Sequence, residues 1–267
     1  MASPTGLTRT TLSAALNDSD AEIYVASTTG LANGRLIYIR GEVIKVSDTA
    51  STLANPIGVV RGYDGTRTKS HPSGAKLYHG APDVFKSLYS NAKGLFGDSG
   101  TFPQYLIPGA KATDDDGNEY VMVEASAQIY TGVTCAISLD GNFTAAVHTD
   151  SLRGSIGVAV EQIDSTEFGW LQIYGYHAAA QNASGDSAAT STQVVVGATS
   201  VSSPAAGMAT IAGTTVEAAL IYGMYCVGAA SSATTSAASF AGVSVPVWLH
   251  YPYATGIHDF TLDPTSS

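Results

Sequence analysis

Few residues in this chain are spaced to do chemistry. Gly97-Asp98-Ser99-Gly100 has the form of a nucleophile loop in which Ser99 would attack a carbonyl. That reaction needs a histidine base and an acid to orient it. The histidines upstream, His71 and His79, fall in a turn and at a strand end, so the segment reads as a glycine hinge. Asp114-Asp115-Asp116-Gly117, with Glu119 and Glu124 nearby, offers clustered oxygens to a hard cation. The alternating ligands and closing glutamate of a calcium loop are missing, and an Asp-Gly turn between strands accounts for the cluster. Asp98, Asp140, Asp150, Glu161, Asp164 and Glu167 would serve a glycosidase only if two of them faced each other across a cleft. Cys135 and Cys226 have no Cys or His at ligand spacing. Each sits in an apolar run, as a buried thiol does, and a bridge between them is left open. The sequence therefore assigns no catalytic, metal or cofactor residue and points away from an enzyme.

The remaining chemistry is aromatic. Of 14 tyrosines, Tyr174, Tyr176, Tyr222, Tyr225, Tyr251 and Tyr253 cluster late. Tyr and Trp suit interfaces and carbohydrate-binding surfaces as well as β-cores. Tyr174, Tyr176, Tyr251 and Tyr253 are the interface candidates. Trp170 and Trp248 each follow a glycine- or proline-marked bend and begin a strand, so both are expected as core anchors.

The elements that must position these residues are strands. Helical periodicity is nearly absent, and short β-branched and aromatic runs alternate with Gly, Asn, Asp and Ser clusters, which predicts an all-β sandwich or barrel. Residues 1–80 read as a small N-terminal β module. In Leu36-Ile37-Tyr38-Ile39, Leu36 and Tyr38 face one side and Ile37 and Ile39 the other. Gly41 turns the chain into Glu42-Val43-Ile44-Lys45-Val46. Residues 81–104 read as a connector, a short helix opened by Pro82 followed by a glycine hinge. Residues 105–267 read as a β body with halves at 105–180 and 181–267. Each half has a glycine-interrupted strand, a loop and a Trp-Leu strand with Tyr near its end.

Composition narrows the class. Charged residues are only 13% of the 267, about half the ~25% of an ordinary soluble domain, which suits a surface covered by neighbours. Net charge is −10 and unevenly spread. Residues 1–95 hold ten Lys and Arg against seven Asp and Glu, a net of +3; residues 96–267 hold two against fifteen, a net of −13. Nucleic-acid binding needs a basic stripe, which the C-terminal two thirds lacks. The mildly basic front is expected to be the docking face, through Arg9, Arg35, Arg40, Arg61, Arg67 and Lys69. No leader-like N-terminus and no apolar run of membrane-spanning length is seen, so the expected site of synthesis is a cytoplasm.

Two resemblances add to this reading. Thr10-Thr11-Leu12-Ser13-Ala14-Ala15, Val25-Ala26-Ser27-Thr28-Thr29-Gly30, Gly41-Glu42-Val43-Ile44-Lys45-Val46, Arg61-Gly62-Tyr63-Asp64-Gly65-Thr66 and His71-Pro72-Ser73-Gly74-Ala75 together resemble a small β module found near the ends of many tailed-bacteriophage virion proteins. Gly169-Trp170-Leu171-Gln172-Ile173-Tyr174-Gly175 and Pro246-Val247-Trp248-Leu249-His250-Tyr251-Pro252-Tyr253 resemble the aromatic strands of phage head decoration proteins. The resemblance implies a virion protein on the outer capsid surface, made in a bacterial cytoplasm. It would bind the major capsid protein and copies of itself, as trimers in that setting, without direct contact to nucleic acid or membrane. A phage fibre or adhesion module that binds host-surface glycan through the late tyrosines is the alternative.

Overall fold

The computed structural model describes residues 7–50, 52–97, 99–101, 103–138, 140–147, 154–182, 193–196, 209–211, 219–227 and 243–257. Strands make up 46% of the chain and the described residues hold one α-helix, so the all-β expectation holds. The chain divides into two compact units. The smaller comprises Pro4–Leu95 and Gln104–Ile107, the larger Phe96–Pro103 and Pro108–Ser267.

The smaller unit is a curled six-stranded sheet. Its strands are β1 (Thr8–Thr11), β2 (Glu22–Ile23), β3 (Leu36–Ile39), β4 (Glu42–Val46), β5 (Ile57–Val60) and β6 (Lys76–Gly80), in the order β1-β6-β3-β4-β5-β2. A bridge between Leu12 and Val25 joins the chain just beyond the two edge strands, so the sheet closes on itself. Period two then sorts the side chains. Ile37, Ile39, Ile44, Val46, Ile57, Val59 and Leu77 fill the inside, while Leu36 and Val43 pack outside against Phe85 and Tyr105. The expected helix opened by Pro82 is present as α1 (Pro82–Phe96), and at fifteen residues it is longer than the short helix expected. Its stripe Phe85, Leu88, Ala92 and Phe96 is buried at helical spacing. Of residues 81–104, all but the last helical residue, and Gln104 with the residues to Ile107, group with the smaller unit, while Phe96–Pro103 group with the larger.

The larger unit holds β7 (Lys111–Thr113), β8 (Glu119–Ala125), β9 (Thr134–Ile137), β10 (Thr144–Val147), β11 (Gly154–Ala159), β12 (Phe168–Asn182), β13 (Gln193–Val196), β14 (Ala209–Ile211), β15 (Ala219–Cys226) and β16 (Val243–Ile257). The pairings β8–β12, β12–β11, β11–β9, β9–β10 and the parallel β10–β8 close a five-stranded ring. Val121, Val123, Cys135, Ile137, Ala145, Ala159, Leu171 and Ile173 pack within one core there. The alternate residues Ala136, Ile156 and Val158 belong to a second core with Ile221, Met224, Val247, Leu249 and Ala254. Strands β9 and β11 are thus buried on both faces, which explains their runs without polar alternation. The second core lies beneath a three-stranded blade in which β16 pairs with both β12 and β15.

Candidate functional sites: a buried ionic clasp and an exposed aromatic face

In the smaller unit the motif residues converge on one carboxylate. Glu42 opens β4 directly after the Arg40-Gly41 turn, and its parity with Ile44 and Val46 sends its side chain inside, where it is fully buried. Arg61 grips it with two prongs, Nε to Oε1 at 2.7 Å and a terminal nitrogen to Oε2 at 2.9 Å. His71 Nε2 lies 2.8 Å from Oε2, and the backbone N–H groups of Gly62 and Lys69 donate at 3.2 Å. Arg61 also donates to the carbonyls of Asn17, Asp20 and Lys69. The Thr66 hydroxyl accepts from Val43 N–H and donates to Tyr63 O. One buried ion pair therefore ties the loop after Leu16 and the loop from Arg61 to His71 onto β4. Burial pulls the Glu42 carboxyl up, but the hydrogen bonds and charge of Arg61, with those of His71 and Gly62, outweigh it and hold it below the usual carboxylate range.

This corrects the expected docking set. Arg61 is a clasp residue with its side chain 7% exposed, so it is withdrawn from any docking surface. Arg40, Arg67 and Lys69 are exposed. Lys69 Nζ reaches the Arg40 carbonyl at 3.4 Å, which brings these two residues together at one end of β3. Arg35 is half-buried at the other end of β3, and Arg9 is exposed on β1 opposite Tyr78. The six residues do not share one face. His79 is buried, and neither ring nitrogen has a partner among the described residues. Burial, with the charge of Arg35, pushes its pKa down to about 4.

In the larger unit the clustered aspartates make a turn. Asp114 accepts hydrogen bonds from the N–H groups of Asp116 and Asn118, the Asn118 amide and the Tyr120 hydroxyl. Its oxygens are engaged by its own loop, and among the described residues no group of three or more metal-ligating side chains occurs. This loop orients the next feature. Asn118 Oδ1 accepts from Tyr176 N–H at 2.9 Å, and Glu119 Oε1 accepts from the Tyr251 hydroxyl at 2.8 Å. Gly175, between Tyr174 and Tyr176, has φ +95°, and a Cβ there would collide with Asn118 Oδ1.

The residues so placed form an aromatic face on the blade. Register sets Tyr174 opposite His250, Tyr176 opposite Trp248 and Tyr225 opposite Trp248. Tyr251 adopts φ +46° and breaks the alternation of β16, so His250 and Tyr251 are both exposed while Pro252 is buried. Across from it Gly223, at φ +76°, lets the backbone of His250 approach, and the register shifts between Tyr222 and Met224 as at a bulge. Beyond the bulge Tyr222 stacks on Tyr253 at 5.3 Å. Tyr174 contacts Trp248 at 6.3 Å, His250 at 5.7 Å and Tyr251 at 5.3 Å. Tyr176, Tyr225, Trp248, Tyr251 and Tyr253 remain 42–49% exposed.

All four interface candidates lie on this face, with Tyr174 half-buried. The two tryptophans separate. Trp170 is 2% exposed and meets Phe96 edge-on at 4.9 Å, as a core anchor. Trp248 is 42% exposed and is corrected to a surface residue, because the buried face of β16 is carried by Val247 and Leu249. Sequence reading missed Glu42 and His71 as partners, and His250 and Tyr225 as surface neighbours of Trp248. Cys135 is a fully buried free thiol whose pKa burial pushes up. The Cys226 side chain and Asp98 lie outside the described residues. Among the described residues no helix is long and apolar enough to cross a membrane. No protein-family model, curated protein or solved structure matches the chain.

Proposed function

We propose that this chain is a structural protein that decorates and stabilises the capsid of a tailed bacteriophage, acting through surfaces and not through chemistry. The observation that carries the reading is the exposed aromatic face on a chain with so few charges. Interfaces are enriched in Tyr and Trp and depleted in Lys and Glu. β12, β15 and β16 hold eight Tyr, Trp and His side chains on this face and no Lys or Arg. The virion setting rests on the resemblance of the N-terminal motifs, five segments in a fixed order. Arg40, Arg67 and Lys69 supply a second contact, to an acidic shell protein. Many weak contacts repeated over a lattice give a large avidity.

The test strips the protein from particles and heats both samples. Stripped particles should release their genome at lower temperature, and adding the purified protein back should restore the difference. Equal release temperatures would overturn the stabilising role. The triple variant Arg40→Glu, Arg67→Glu, Lys69→Glu should no longer bind shells; full occupancy by it would remove those cations from the account.

The exposure of Trp248 favours one second reading, an adhesion module that stacks host glycan on the Trp248–Tyr174–Tyr251 cluster. Imaging of intact particles separates the two: even decoration of the head supports the first, and a few copies confined to the tail support the second.

A further inference from the structure

We infer that the occupant of the aromatic face is the same face of a second copy of this chain, so that the blade is the copy-to-copy interface. The inference rests on the reading of the chain as a structural protein and names the partner of one of its surfaces.

Area is the first argument. An aromatic side chain carries about 150–250 Å². Five of them, Tyr176, Tyr225, Trp248, Tyr251 and Tyr253, are exposed by 42–49%, which leaves on the order of 500 Å² open. A stable interface covers about 800 Å² per partner. These five rings alone provide more than half of that, and Tyr174, Tyr222 and His250 stand beside them.

Charge is the second. The larger unit is strongly acidic, yet the strands of this face contribute no Lys, Arg, Asp or Glu to it. The nearest carboxylate, Glu119, already accepts the Tyr251 hydroxyl. A foreign partner is usually selected by opposed charges, and this face offers none to oppose. Strands without formal charge, with Glu119 at their margin already bonded to Tyr251, meet their own image with little repulsion. Phenol hydroxyls both donate and accept, so they satisfy one another across a symmetric contact.

The two tryptophans supply the readout. Both belong to the larger unit; Trp170 is buried within one copy and Trp248 is not. Sedimentation velocity and fluorescence quenching by acrylamide are followed on the full chain from 1 to 100 μM, at ~0.15 and ~1 M NaCl. The expected result is association that rises with concentration and survives high salt, with the quencher-accessible tryptophan fraction falling from about half towards none. Tyr225→Ser with Tyr253→Ser should remain monomeric at the highest concentration, and in dilute solution its melting temperature should stay within a few degrees of wild type, because both side chains are on the surface.

A wild-type chain that stays monomeric at 100 μM with one tryptophan open to quencher overturns the inference. So does association that high salt abolishes, or that the double variant retains. Protection of Trp248 only when shells or a glycan array are added assigns the face to that partner and overturns it as well. A monomeric double variant that still binds shells leaves decoration standing apart from self-association. An oligomer that binds no shell counts against decoration alone.

Discussion

The smaller unit places a full negative charge inside a barrel, whereas the larger unit places a cluster of aromatic rings outside. In the first, Glu42 is fully buried and is met by a two-pronged guanidinium, an imidazole and two backbone donors. In the second, Tyr251 and Tyr253 are nearly half exposed above a core of Val247, Leu249 and Met224. A buried charge is tolerated only when paired and hydrogen-bonded, so the clasp fixes loops that a short-stranded barrel holds weakly. Exposed rings have no such compensation within the copy, and a contiguous patch of them marks a contact surface. Tightness of polar pairing therefore indicates scaffold, and apolar exposure indicates function.

The clasp gives the first way to break this contrast. Arg61→Met leaves Glu42 buried without its main partner, and removal of one member of a buried pair costs about 3–5 kcal/mol. Urea unfolding followed by hydrogen exchange of the strands of the smaller unit should show a loss of that size. The double variant Glu42→Met, Arg61→Met should recover most of it, since an apolar pair has no charge to desolvate. A single variant as stable as wild type would show that the ion pair is decorative.

Trp170→Ala is the corresponding test in the larger unit. Trp170 is buried against Phe96, and truncating a buried tryptophan costs about 3–5 kcal/mol. Thermal unfolding followed by circular dichroism should fall accordingly. An unchanged melting curve would mean that the five-stranded ring does not depend on this layer.

Acid sharpens the comparison next. His79 is neutral in the fold, with its pKa pushed down from 6.5 to about 4 by burial beside Arg35. The unfolded chain binds a proton below about 6.5 that the folded chain refuses until about 4, so stability falls as pH is lowered across that window. The shift corresponds to about 3 kcal/mol. The Glu42 carboxyl lies below its ordinary value; its contribution is present above the unfolded pKa and is lost at still lower pH, as the folded carboxyl protonates. His79→Leu should flatten the stability profile of the smaller unit between pH 6.5 and 4. A profile with the same slope in the variant would assign the acid sensitivity elsewhere.

The local pattern of the fold was legible, and its long-range pairing was not. Opposite faces for Leu36 and Tyr38 against Ile37 and Ile39 follow from period two, and they appear in the structure. The helix runs longer than expected because Gly94 costs an exposed helix only about 1 kcal/mol, which the buried stripe offsets. Glu42 was hidden because a charged residue at a strand start reads as a solvent-facing one. Its partners stand 19 and 29 residues away, and no local period connects them. The N-terminal segments quoted for the resemblance contain all three, and the clasp is where Glu42, Arg61 and His71 meet. The aromatic face was legible as residue types but not as a surface, because Tyr251 at φ +46° shifts the parity within a single strand.

Trp248 carries the smallest expected effect and separates the two tryptophans most cleanly. Both precede a leucine in strands of the same pattern, so sequence alone makes them equivalent. Register makes them different: Trp170 pairs with buried Met122, whereas Trp248 pairs with exposed Tyr176 and Tyr225. An exposed side chain contributes little to its own fold, and an edge contact with Tyr174 adds about 0.5–1.5 kcal/mol. Trp248→Ala should therefore leave the melting temperature of dilute protein within a few degrees of wild type, in contrast to Trp170→Ala. At high concentration the same variant should lose whatever stabilisation association confers, since binding to the native state raises apparent stability by mass action. A large loss in the dilute monomer would return Trp248 to the core and leave the aromatic face without its central ring.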